Sequence, residues 1–126
     1  MKNNKPIWFN KQGAVTEINI GSQLPKYQIF VATPVHSEVS IHYTQALLKF
    51  QQDCLTKGIL VSFTLYKSSL VTQGRNLCVA EFLNADKEYT HFLFIDSDID
   101  FKSETIFKML EKDKDIIAAP YPMKWL

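Results

Sequence analysis

A chain of 126 residues and 14.5 kDa has room for one ordinary domain and is long enough to bury a core of its own. Hydrophobic residues at 46% and charged residues at 21% match a globular protein and exclude a disordered chain. A formal net charge of +1 gives no electrostatic footprint for nucleic acid, and no apolar run is long enough to span a bilayer.

Residues 1–26 read as an extension ahead of the main fold. They are rich in Asn, Lys and Gln and are punctuated by Gly13, Gly21 and Pro25. They carry no apolar h-region, so no secretory signal is expected and the cytoplasm is the expected compartment. Residues 15–20 alternate apolar and polar, which fits an edge strand or hairpin arm. Residues 27–126 form the expected domain. Ile29, Phe30, Val31 and Ala32 make a buried strand ended by Thr33 and Pro34. Ser40 can cap a helix running to Lys57, with Ile41, Leu47, Leu48, Phe50, Cys54 and Leu55 as its apolar stripe and Gly58 as its stop. Residues 59–66 are branched and aromatic, the composition of a strand. A second helix is expected from Thr72 or Gln73 to Ala85, apolar nearly all round and so buried on more than one side.

Residues 91–95 (His, Phe, Leu, Phe, Ile) show no alternation, so both faces of this third strand should be covered. Ser103 is expected to cap a third helix with Ile106, Phe107, Met109 and Leu110 on its apolar face. Residues 115–120 read as a fourth strand. Alternating strands and helices predict an α/β fold with a parallel, doubly wound sheet. Such sheets bind ligands at the carboxyl ends of their strands. Cys54 and Cys78 fall in the helices among apolar neighbours and read as buried free thiols.

Three carboxylates, Asp96, Asp98 and Asp100, close the third strand. Like charges this close repel, and a divalent cation with a taste for hard oxygen ligands resolves the conflict. In an extended segment Asp96 and Asp98 project to the same side and can share one Mn²⁺ or Mg²⁺ ion. Asp100 reads as a turn or helix-start residue. An EF-hand loop starting at Asp96 would place Gly at position six and Glu at position twelve; Phe101 and Phe107 stand there, which excludes it. His91 lies at the far end of the strand, about 16 Å from Asp96 at ~3.3 Å per residue. His36 lies on the ligand edge, and His42 reads as a helix-surface residue.

The run Phe92, Leu93, Phe94, Ile95, Asp96, Ser97, Asp98 resembles the Asp-x-Asp motif of GT-A fold glycosyltransferases, which follows a buried strand. Thr72, Gln73, Gly74, Arg75 and Asn76 resemble the segment where those enzymes place an Arg-Asn pair. Residues 115–122 resemble the strand after the motif helix, especially in viral and phage members. The likeness covers residues 27–124. It implies a Rossmann-like, mostly parallel sheet with helices on both faces, truncated or minimal, and a metal-dependent transferase that uses a nucleotide-diphosphate sugar. A UDP-sugar is the first expectation, and the acceptor is unknown.

By that resemblance Asp98 binds the metal on the diphosphate. Asp96 binds the metal, ribose or sugar, and Ser97 lies between them. Thr33 and Pro34 border the base and ribose, Tyr66 stacks on the base, and Arg75 faces the diphosphate. Two alternatives are a non-catalytic nucleotide- or sugar-binding module and a metal-dependent phosphatase of the haloacid-dehalogenase type with Asp96 as nucleophile. Members of the GT-A family continue well past the motif, so a fragment, a minimal member or a partner subunit is expected. The apolar residues 121–126 lead to an expectation of self-association. The bias to 13 Lys over one Arg fits an AT-rich, viral genome and the cytoplasm of an infected host cell.

Overall fold

Eight residues from Gln28 to Val35 form the central strand of the protein. The computed structural model describes residues 26–121 and, as backbone, two short strands before them. These two, β1 (Ile7–Phe9) and β2 (Val15–Glu17), pair antiparallel with Ile7 opposite Glu17. The arm expected at 15–20 is thus present through Glu17. The rest of the extension and residues 122–126 of the apolar carboxyl end lie outside the described residues.

The main sheet holds β3 (Gln28–Val35), β4 (Leu60–Lys67) and β5 (His91–Phe94), in the order β4-β3-β5 and parallel throughout. Helix α1 (Ile41–Lys57) joins β3 to β4, α2 (Val71–Leu83) joins β4 to β5, and α3 (Ser103–Glu111) follows β5. The α/β fold with a Rossmann-like parallel sheet is therefore present. Side chains alternate across β3 and set the two layers. Ile29 and Val31 pack with Tyr43, Phe50 and Cys54 of α1 and with Ile106 and Leu110 of α3. Phe30 and Ala32 face the other way, against Cys78 and Phe82 of α2. Phe30 stacks on Phe92 at 5.6 Å between ring centroids. Both free thiols are fully buried. No helix among the described residues is long and apolar enough to cross a membrane.

Local chemistry explains the element ends. The Ser40 hydroxyl accepts the Tyr43 N–H at 3.0 Å, which caps α1 as its sequence predicts. Gly58 ends the helix in the left-handed region at φ 72°, where a side chain would be strained. Four expectations need correction. Residues 115–120 form no strand, and Ile116 is 92% exposed. The run has a strand's composition, but a strand also needs a ladder, and none of the described strands pairs with it. Ser103 is the first residue of α3 rather than its cap; Lys102 holds the cap position without a side-chain hydrogen bond. Among the described residues helix α2 is packed on one side only, with Leu70, Val71, Leu77 and Leu83 exposed around it. An apolar helix surface reports composition, not the number of neighbours available to cover it. On α1, Ile41, Leu48 and Leu55 are exposed, and Tyr43 takes the buried place beside Phe50 and Cys54.

Candidate functional site

The strands end at different heights, and the difference opens a cleft. Pairing of β3 with β5 stops at Ala32 and Phe94, followed by one further bond from the Ile95 N–H to the Ala32 carbonyl. Pairing of β3 with β4 continues to Val35 and Lys67. Pro34 has the parity of Ala32, so its missing N–H falls on the side where β5 has already ended, and a proline in a central strand costs no ladder bond there. The cleft lies at the carboxyl edge of the sheet, where ligands bind in open α/β folds. It has a volume of about 200 Å³ and is lined by Pro34 and Val35 at the end of β3 and His36 just after it, by Ser68 after β4, by the start of α2, and by Asp96, Ser97 and Asp98 after β5.

Gly74 brings α2 to this edge. A Cβ there would stand 3.3 Å from the Pro34 Cβ and 3.4 Å from the Ser68 Cβ. Only a residue without a side chain allows so close an approach without displacing its neighbours. The next residue, Arg75, reaches into the cleft, and its Nη2 donates to Asp96 Oδ1 at 3.0 Å. Its guanidinium also lies 5.1 Å from the Phe94 ring centroid, a cation–π distance. The first turn of α2 borders the cleft and has no side-chain cap, so the positive end of the helix reinforces Arg75.

The carboxylate segment is a turn. The Ile99 N–H donates to the Asp96 carbonyl at 3.3 Å, which places Ser97 and Asp98 at its two central positions. The expectation that strand alternation aligns Asp96 with Asp98 is therefore corrected. Both line the cleft, but a bend of the backbone puts them there. The turn is anchored from α1, because the Ser40 N–H donates to the Ser97 carbonyl at 3.0 Å. Asp98 is exposed and Asp96 is half-buried.

Of the residues singled out in the sequence, Pro34, Arg75, Asp96, Ser97 and Asp98 meet in this one cleft. Thr33 and Tyr66 do not line it. Thr33 is fully buried and hydrogen-bonded through its hydroxyl to that of Tyr43. Its odd position in β3 turns it toward α1, away from Arg75. Burial pushes the Tyr43 hydroxyl above its usual pKa, against the effect of the Thr33 hydrogen bond. Tyr66 packs beside Cys78 and Phe30, and its hydroxyl donates to Glu81 on α2; that bond raises its pKa. The sequence reading missed Gly74 as a contact point and Ser40 and Tyr43 as supports. A glycine inside a helical pattern, directly before the single arginine, was the available signal for the first.

No family model, curated protein or solved structure matches the chain. What the cleft can do therefore rests on its own chemistry. Two carboxylates in one cleft fit a hard divalent ion such as Mg²⁺ or Mn²⁺, which binds through one or two carboxylates and completes its shell with phosphate oxygens and water. Among the described residues no three His, Cys, Asp or Glu side chains gather into a group that could hold an ion, so an ion here would take the remaining ligands from phosphate and water. A volume of about 200 Å³ is below the roughly 300–1,000 Å³ of sites that enclose a whole ligand. It suits a phosphate- or sugar-sized group, with the remainder of the molecule lying across the open edge.

Proposed function

We propose that the cleft is the donor site of a metal-dependent glycosyltransferase that takes a nucleotide-diphosphate sugar, with a UDP-sugar as the first candidate and Mn²⁺ or Mg²⁺ as cofactor. The observation that carries this reading is the meeting of Asp96, Asp98 and Arg75 in one cleft at the carboxyl edge of a parallel sheet. Asp98 and Asp96 would hold the ion. Once bound, the ion supplies neutralising charge to the diphosphate leaving group. Arg75 would hold phosphate oxygens, for which its planar fork of donors is suited. Pro34 and His36 would border the nucleoside along the open end of β3, and the Ser97 turn, tied to Ser40, would keep the carboxylates in place. Thr33 supports that arrangement from the core without touching a ligand.

A thermal-unfolding panel of UDP, GDP, CDP and ADP, each with and without Mn²⁺, tests the reading. A ligand at about a hundredfold excess over its Kd adds about 2.7 kcal/mol to the folded state, which raises the Tm by several degrees in a domain of this size. The expected result is a manganese-dependent shift for one nucleotide, UDP first, that vanishes in Asp98→Ala. No shift with any pair would remove the donor-site reading. Slow hydrolysis of the donor sugar would separate the transferase from a non-catalytic nucleotide-binding module, and trapping of Asp96 with beryllium fluoride would instead identify a phosphatase.

A further inference from the structure

The cleft contains its own obstacle to an anion. Arg75 is the single arginine of the chain and, among the described lining residues, the one permanently charged cation. It is already engaged by Asp96 at 3.0 Å. Asp98 lines the same cleft.

We propose that Asp96 is an internal competitor for Arg75: it occupies the guanidinium in the ligand-free chain, and a divalent cation taken up by Asp96 releases Arg75 to a phosphate group. This rests on the reading of the cleft as a metal–diphosphate site. The magnitudes favour exchange over a fixed staple. The Arg75 and Asp96 side chains are 39% and 34% exposed, and pairs so open to water contribute little to stability. A fully buried pair would be too costly to break and could not act as a latch. The contact runs through Nη2 to a single carboxylate oxygen, whereas a phosphate can take two donors of the fork together. The Phe94 ring, 5.1 Å from the guanidinium, offers the same resting face with either partner, so the change needs only a side-chain rotation. Metal and phosphate would then bind cooperatively, because the first removes the competitor met by the second.

Calorimetric titration at low salt tests the proposal in two independent arms. In the first, inorganic pyrophosphate is titrated without metal into the wild-type chain and into Asp96→Asn. The variant should bind about threefold to tenfold more tightly, since the competitor and one negative charge are gone. In the second, Mn²⁺ alone is titrated into the wild-type chain and Arg75→Gln. The variant should bind the ion about twofold to fivefold more tightly, having lost the cation that occupies Asp96. Equal or weaker pyrophosphate binding by Asp96→Asn would overturn the proposal, as would unchanged or weaker Mn²⁺ binding by Arg75→Gln. Should either variant fail to fold by circular dichroism, the other arm decides alone. A tightened pyrophosphate affinity in Asp96→Asn, together with no nucleotide-dependent stabilisation of the wild type, would uphold the latch and remove only the glycosyl-donor reading.

Discussion

Thr33 and Tyr43 share a buried side-chain hydrogen bond that ties the carboxyl end of β3 to the first turn of α1. From that turn the Ser40 hydroxyl holds the Tyr43 N–H, and the Ser40 N–H holds the Ser97 carbonyl. The core strand is thereby connected to the turn that carries Asp96 and Asp98. Removing the phenol should expose the strength of this connection. Tyr43→Phe leaves the Thr33 hydroxyl buried without its partner, at a cost of about 1–3 kcal/mol. A urea titration should show a lower midpoint with an unchanged slope. An unchanged midpoint would mean that the bond contributes nothing.

Gly74 offers a test of the close approach between α2 and β3. In an open helix interior, Gly→Ala stabilises by about 0.8–1.0 kcal/mol. At this position the new methyl group would sit 3.3 Å from the Pro34 Cβ, and crowding should offset the gain. Gly74→Ala is expected to be neutral or destabilised in chemical denaturation, and Gly74→Val clearly destabilised. A full gain in the alanine variant would show that α2 has room to move and that the glycine is not needed for the approach.

Alkaline pH should reveal the buried thiol. Burial pushes the Cys54 pKa up to about 12 from an ordinary value of 9.0. A group neutral in the folded state but ionising earlier in the unfolded chain gives stability that is present below pH 9 and lost as pH rises toward 12. The loss amounts to roughly 4 kcal/mol at its limit. Tm measured from pH 8 to 11 should fall, and Cys54→Ala should flatten that limb while lowering stability at neutral pH. An equally steep limb in the variant would assign the loss to other groups.

At the acid end, the nearby Ser103 hydroxyl, which makes no well-formed hydrogen bond, and the Lys49 ammonium, 3.1 Å from Oδ2, lower the pKa of the Asp53 carboxyl. Its contribution is present above the unfolded value and lost as pH falls through the folded one. Asp53→Asn should therefore reduce the slope of stability against pH between about 4 and 2, read by denaturant titration. An unaltered slope would count against this contact.

The exposed side of α2 should govern association. Leu70 and Leu83 are 63% and 73% exposed, so Leu70→Lys with Leu83→Lys should leave unfolding stability within about 0.5 kcal/mol per site. Light scattering at high concentration should show the wild type associating and the double variant doing so less. A wild type that stays monomeric throughout would exclude this surface as a self-contact.

The amino-acid sequence by itself determined the order of the three strands and three helices of the main domain, the cap at Ser40, the stop at Gly58 and the grouping of Asp96 and Asp98 after β5, although β5 is half-buried with Phe94 exposed and not covered on both faces as its composition predicts. All of these arise from interactions close along the chain: periodic burial, a serine that satisfies the first N–H groups of a helix, a glycine at positive φ. Tertiary structure alone decided which neighbours are present. The run at 115–120 has a strand's composition and finds no ladder, and the outer side of α2 is apolar and uncovered. Thr33 lies beside Pro34 in sequence yet turns into the core, because β3 alternates and Tyr43 is there to meet it. Arg75 and Asp96 are 21 positions apart and come together because α2 crosses the sheet at Gly74. Non-local contacts of this kind depend on where each element packs, which local periodicity does not encode.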